Sequence, residues 1–137
     1  MIFKYPESLE VGGEKLYRPV VPILFKNDNY FALLEGTIDS GADYILLPIS
    51  IAQKLNIKLK KKTQFYSAGG GKFTVYRSPV KIEYILRKDG FGNISHKTIV
   101  YFAESQTTIL LGNYGFLEKF KVTLNGPKKE VEIIDGD

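Results

Sequence analysis

The sequence has no cysteine, no tryptophan, one methionine and a single histidine, His96. Without cysteine there is no disulfide framework, no thiolate zinc site, no iron–sulfur cluster and no thiol nucleophile. One histidine leaves no room for a multi-histidine metal site, and a Ser-His-Asp triad would have to run on His96 alone. No apolar run approaches the roughly 20 residues a membrane-spanning helix needs. The longest, Tyr44 to Ala52, is broken by Pro48 and Ser50. Met1-Ile2-Phe3-Lys4-Tyr5-Pro6 shows no charged leader followed by an apolar core, so no secretory signal is read. The expectation is a cytoplasmic protein whose chemistry runs on carboxylates, with no metal and no cofactor.

The 137 residues are 44% apolar and 25% charged, enough to build one domain around its own core. Nineteen Lys and Arg against 15 Asp and Glu give a net charge of +4, too mild to imply a nucleic-acid partner. The cluster Lys58, Lys60, Lys61 and Lys62 reads as a solvated loop or strand start. Nine Tyr, nine Phe and many β-branched residues favour strands, and helical periodicity is scarce.

Val20–Phe25 and Tyr30–Ile38 read as a hairpin about Asn27-Asp28-Asn29, residues that tolerate left-handed backbone. Tyr44–Leu47 follows as a short strand, and Ser50-Ile51-Ala52-Gln53 has the pattern of a capping box for a helix ending near Asn56. Phe65–Tyr66 and Lys72–Tyr76 flank Gly69-Gly70-Gly71, a hairpin with a flexible tip. Val80–Arg87 and Thr98–Ala103 read as a strand pair around Asp89–Asn93. Ile109–Gly112 is a short buried strand, Gly115–Phe120 a helical turn, and Val122–Leu124 with Val131–Ile134 a closing hairpin around Asn125-Gly126-Pro127. Gly71-Lys72 is no phosphate loop, because Phe73 stands where Ser or Thr is required and no helix follows. Asn93-Ile94-Ser95 is an idle sequon, and His96 reads as a surface or packing residue.

Asp39-Ser40-Gly41 is the sharpest feature. A strand carrying Ala32, Leu33, Leu34 and Ile38 delivers the acid, Gly41 allows a tight bend, and Ala42-Asp43 leads into a second apolar strand. An acid at the tip of a loop between buried strands sits partly desolvated, where its protonation can be tuned.

Asp39-Ser40-Gly41-Ala42-Asp43, the glycines at 69–71 and Leu110-Leu111-Gly112, in this order, resemble the retropepsin-like (retroviral-type) aspartic peptidases. The resemblance runs from about Arg18 to Ile134, and the stretch Gly112–Leu124 is similar to cellular, non-viral members. No single piece is specific; the combination is.

The resemblance implies a mostly β, single-domain acid-protease fold over residues 1–137. It would have a closed, barrel-like sheet, a flap hairpin and one or two short helices, with residues 1–17 as an N-terminal extension. It implies an aspartic endopeptidase in which two carboxylates share one proton and activate a water. Only one Asp-Ser-Gly is present, so the partner acid would be Asp39 of a second copy in a homodimer. By similarity Asp39 is catalytic, and Ser40 and Gly41 support the loop. Ala42, Asp43, Gly69, Gly70 and Gly71 bind a peptide or protein substrate, and Leu110, Leu111 and Gly112 pack beneath. Viral members often carry an arginine after the late glycine, pairing with the acid that corresponds to Asp43. Asn113 stands there in this chain, which puts that ion pair in question. Two other readings stay open: a non-catalytic dimerisation or peptide-binding module, and a basic domain binding single-stranded nucleic acid through its aromatics and the Lys58–Lys62 cluster. The leading reading takes no nucleic acid and no membrane.

Overall fold

Strand alternation builds the framework. The structure, a computed structural model, describes residues 1–8, 12–60, 62–66, 71–106 and 108–136, with 63–66 as backbone alone. In β2 (Val20–Asn27) the residues Val21, Ile23 and Phe25 are buried while Pro22 faces out, the period-two pattern of a sheet covered on one face. It turns through Asp28, at φ 52°, into β3 (Tyr30–Ile38), in register from Asn27↔Tyr30 to Val20↔Thr37. The remaining elements are β1 (Ile2–Lys4), β4 (Leu46–Pro48), α1 (Ile49–Lys54), β5 (Lys62–Tyr66), β6 (Lys72–Arg77), β7 (Ile82–Lys88), β8 (Gly92–Thr98), β9 (Tyr101–Ala103), β10 (Ile109–Leu111), β11 (Phe120–Asn125) and β12 (Glu130–Asp135), with a 3₁₀ turn at Leu117–Lys119.

Nine strands form one sheet in the order β5-β6-β9-β4-β10-β3-β2-β7-β8. That order has two ends, β5 and β8, so among the described residues the sheet is curled rather than closed. β10 lies between β3, to which it is parallel, and β4, to which it is antiparallel. The link from β3 to β4, residues 39–45, therefore spans the end of β10. The main core gathers Ile23, Phe25, Leu47, Leu55, Phe102, Leu111 and Phe116. A small second cluster, Leu46, Val75 and Ala103, is joined by the half-buried Phe73, Tyr101 and Leu110.

Three expectations need correction. Thr98–Ala103 is not the partner of the strand at 80–87; β7 pairs with β8, from Ile82↔Thr98 to Lys88↔Gly92. Gly90 and Gly92, at φ 84° and 85°, close a tighter turn than the expected loop. Tyr101–Ala103 instead joins β4 to β6. The capping box does not form: Pro48, at φ −60° and ψ 144°, ends β4 and stands at the N-cap with no side-chain bond, leaving Ser50 inside the first turn. Tyr44 lies outside β4 and makes an isolated bridge to Tyr114. Helix α1 does stop where expected, with Asn56 at φ 54°.

The chain ends form a separate sheet, β1-β12-β11, that buries Phe3, Val131 and Ile133. Lys88 ties it to the larger sheet, bonding the Ile2 carbonyl and lying 5.5 Å from the centroid of the Phe3 ring. His96 is half-buried on β8 and meets Asp135 of β12 at 3.0 Å, a structural tie between the two sheets. Lys58, Lys60 and Lys62 are exposed; Lys61 lies outside the described residues. No helix of the described residues is long and apolar enough to cross a membrane.

Candidate active site

The Asp39 loop is shaped from within and clamped from below. Asp39 leaves β3 half-buried, and its Oδ1 accepts the Gly41 amide at 2.9 Å. The Ala42 amide reaches the Asp39 carbonyl at 3.2 Å, which closes the turn. From below, the Asp39 amide donates to the Leu111 carbonyl at 3.1 Å. Asn113 grips the far side: its backbone amide donates to the Ala42 carbonyl at 2.9 Å, and its Nδ2 donates to the Ser40 and Ala42 carbonyls at 2.8 and 2.9 Å. The Tyr114 amide completes the clamp on the Asp43 carbonyl at 2.7 Å.

Gly112 makes this approach possible. A Cβ there would lie 2.4 Å from the Tyr44 carbonyl oxygen and 2.5 Å from that of Ala42. The Leu-Leu-Gly sequence is thus the floor of the loop: Leu111 is buried in the core, Leu110 joins the second apolar cluster, and Gly112 admits the backbone above it. Gly36, beside Leu111 on β3, is held to the same size by the Leu111 side chain, 2.7 Å from its would-be Cβ.

A second layer holds the floor. The Leu117 and Glu118 amides bond the Gly112 and Asn113 carbonyls, both at 3.0 Å. Glu118 Oε1 accepts the Gly115 amide at 2.9 Å, and the buried Tyr84 hydroxyl donates to the Gly115 carbonyl at 2.6 Å. Burial, with the negative charges of Asp135 and Glu118 adding to it, pushes the Tyr84 hydroxyl pKa well above its ordinary value. Phe25, His96, Phe116 and Phe120 surround this ring with centroids 5.5 to 6.4 Å away.

The fold brings together Asp39, Ser40, Gly41, Ala42, Asp43, Leu111 and Gly112, with Ser40, Gly41 and Asp43 exposed and Ala42 half-buried. Gly71 is exposed at the foot of β6; Gly69 and Gly70 lie outside the described residues. The β5–β6 hairpin is continuous with the site through β9, which pairs with both β6 and β4. Tyr76 of β6 donates to Glu104 just past β9 at 2.7 Å, and that hydrogen bond, first among the causes, raises its hydroxyl pKa.

Sequence reasoning left three contributors without a role. Asn113 was visible only as a departure from a pattern. Tyr44 and Tyr114, each next to a loop residue, become a pair only through the bridge that joins them. The Tyr44 ring centroid lies 4.6 Å from that of Tyr101 and 5.7 Å from that of Tyr114. No group of three or more His, Asp or Glu among the described residues comes together in a way that could hold a metal ion.

No family model matches this sequence, and no curated protein matches it. Among solved structures, a retropepsin-like aspartic protease from Rickettsia conorii is similar with a TM-score of 0.56 and 22% identity, over 84% of this chain and 88% of that one. EIAV protease, in complex with the inhibitor HBY-793, is similar at 23% identity with a TM-score of 0.49, over 76% of this chain and 88% of that one. The first likeness, together with β10 set between β3 and β4 under the Asp39 loop, identifies the architecture: this chain has a retropepsin-like fold.

Proposed function

We propose that the protein is an aspartic endopeptidase that works as a homodimer, Asp39 of each copy giving one carboxyl group of a water-activating pair. The observation that carries this reading is the half-buried Asp39 in a loop closed by its own Gly41 and Ala42 amides and clamped by Leu111 of β10, Asn113 and Tyr114. Such a loop holds a carboxyl group in one place without help from a cofactor, which is what acid–base work on a bound water requires. The chain has one Asp-Ser-Gly, so a symmetric pair needs a second copy.

In the reaction, one carboxylate takes a proton from the water as its oxygen attacks the scissile carbonyl carbon. The protonated partner gives its proton to the carbonyl oxygen, forming a tetrahedral diol. Collapse of the diol breaks the C–N bond, the amide nitrogen takes a proton, and the pair again shares one. Ser40 and Gly41 hold the acid in register, and Ala42 and Asp43 line the cleft. By the resemblance Gly71, at the foot of β6, would meet the peptide, as would Gly69 and Gly70, which lie outside the described residues.

Replacing Asp39 by Asn tests the reading. Peptide cleavage should disappear while the urea unfolding midpoint is retained, and wild-type specific activity should fall on dilution as dimers separate. Turnover that persists in Asp39→Asn overturns the proposal.

A further inference from the structure

The outward face of β2, β3 and β7, on the other side of the sheet from the core, carries Leu33 at 74% exposure and Phe31 at 54%. Cross-strand register sets its outward residues in three rows. Phe31, Lys26 and Glu83 are level in the first, and Leu33, Leu24 and Ile85 in the second. In the third, Glu35 is opposite Pro22, and the β2–β7 register continued by two residues brings Arg87 level with both. Pro22, Leu24, Leu33, Ile85, Arg87 and Asn93 ring a hollow of about 300 Å³. Of the four charges in these rows, Glu83 accepts the Ser95 hydroxyl at 2.8 Å, and the Lys26 ammonium lies 5.5 Å from the centroid of the Phe31 ring. Glu35 and Arg87 are both exposed, and their side chains have no hydrogen-bond or ion-pair partner among the described residues.

This face is complementary to itself. β3 and β7 flank β2 and are both antiparallel to it, so they run in the same direction. A two-fold axis parallel to β2 and above it lays β3 of one copy over β7 of the other without changing the row. Leu33 then meets the partner's Ile85 at the hollow, and Glu35 meets the partner's Arg87, each contact made twice by symmetry. Sheets packed face to face lie ~10 Å apart, a gap that interdigitating leucine and isoleucine fill and that a glutamate and an arginine span. We infer that two copies of this chain associate through the outer face of β2, β3 and β7, the apolar row at the centre and a Glu35–Arg87 pair on each side of the axis. Single exposed apolar residues are ordinary on a protein surface. What sets this face apart is that one symmetry operation covers its apolar row and pairs its two uncompensated charges, which are of opposite sign. Lys26, under the axis, meets its own copy, a repulsion that the Phe31 ring beneath each ammonium reduces. Four strands by five residues give a face of roughly 20 by 20 Å, about 400 Å² a side, half that of a standard interface. The contact is therefore weak and forms at high concentration. It uses none of residues 39–45, so it stands apart from the peptidase reading.

The test is sedimentation equilibrium at low salt, from micromolar to near-millimolar protein, on the wild type, Arg87→Glu, Glu35→Arg, the two changes together, and Leu33→Ser. Wild-type mass should rise with concentration. Either single reversal sets like charges across the axis and should raise the dissociation constant roughly tenfold or more. The double reversal, and an equimolar mixture of the two single variants, should regain wild-type association, because each restores opposite charges at both contacts. Leu33→Ser should weaken association while leaving its salt dependence in place. All these positions are exposed, so urea midpoints should match the wild type. Pairing through the Asp39 loop would add equally to every sample, so the comparison among variants isolates this face. Single variants with the wild-type mass at every concentration, or a mixture no heavier than its components, overturn the inference and leave the face to a different partner. A wild-type mass that stays constant over the range does the same.

Discussion

Replacing Gly112 by Ala should damage the Asp39 loop more than any change of one methyl group elsewhere in it. The added Cβ would sit 2.4 Å from the Tyr44 carbonyl oxygen and 2.5 Å from that of Ala42, both main-chain atoms. Non-bonded heavy atoms settle at roughly 3.5 Å, so the loop and β10 must part by about 1 Å. Neither side yields easily: Leu111 below is buried in the core, and the loop above is held by the Asp39, Asn113 and Tyr114 amide bonds. Overpacking of this kind costs about 1–3 kcal/mol. A displacement of about 1 Å at a reacting group can lower turnover roughly 100-fold. Urea unfolding measures the first effect and cleavage of a peptide substrate the second, with far-UV circular dichroism showing that the variant folds. Gly41→Ala is the comparison, since its Cβ would meet only the Asp39 carboxylate oxygen, at 3.2 Å. A Gly112→Ala protein with wild-type midpoint and turnover would refute the account of the loop floor.

The Asn113 clamp predicts an order of stability, wild type above Asn113→Ala above Asn113→Asp. Alanine removes two bonds, together about 1–3 kcal/mol, and aspartate also sets a negative charge against the Ser40 and Ala42 carbonyl oxygens. Equal urea midpoints for the two variants would contradict it. Tyr84→Phe leaves the Gly115 carbonyl without its buried donor and should cost about 1–3 kcal/mol near neutral pH. Because burial raises the Tyr84 pKa in the folded state, the native protein keeps a proton that the unfolded chain releases above its ordinary value of about 10. The stability this hydroxyl confers is therefore complete below pH ~10 and declines as pH climbs beyond it. The gap in unfolding midpoint between wild type and Tyr84→Phe should narrow from pH 8 to pH 11; a constant gap would rule this out.

Local patterns were legible where one residue settles one conformation. Alternation in Val21, Ile23 and Phe25 marked β2, Asp28 marked its turn, and Asn56 marked the end of α1, because each depends on side-chain period or on backbone angles that few residues adopt. The pairing of β7 was misread because a turn closed by Gly90 and Gly92 and a longer loop leave similar traces in composition. The capping box was misread because Ser-x-x-Gln says nothing of Pro48, two residues before Ser50, ending the preceding strand.

The sequence by itself determined that no thiol and no multi-histidine site is available, that Asp39 heads a bend between two apolar strands, and that the chain carries only one Asp-Ser-Gly. These follow from which residue types are present, from alternation and from glycine. The tertiary structure alone decided that β10 slides between β3 and β4, that Gly112 must be small because two carbonyl oxygens press on it, and that Asn113 grips Ser40 and Ala42 from more than 70 positions away. Contacts of that kind depend on which strands become neighbours, and neighbourhood is set by packing of the whole core rather than by any local stretch of sequence.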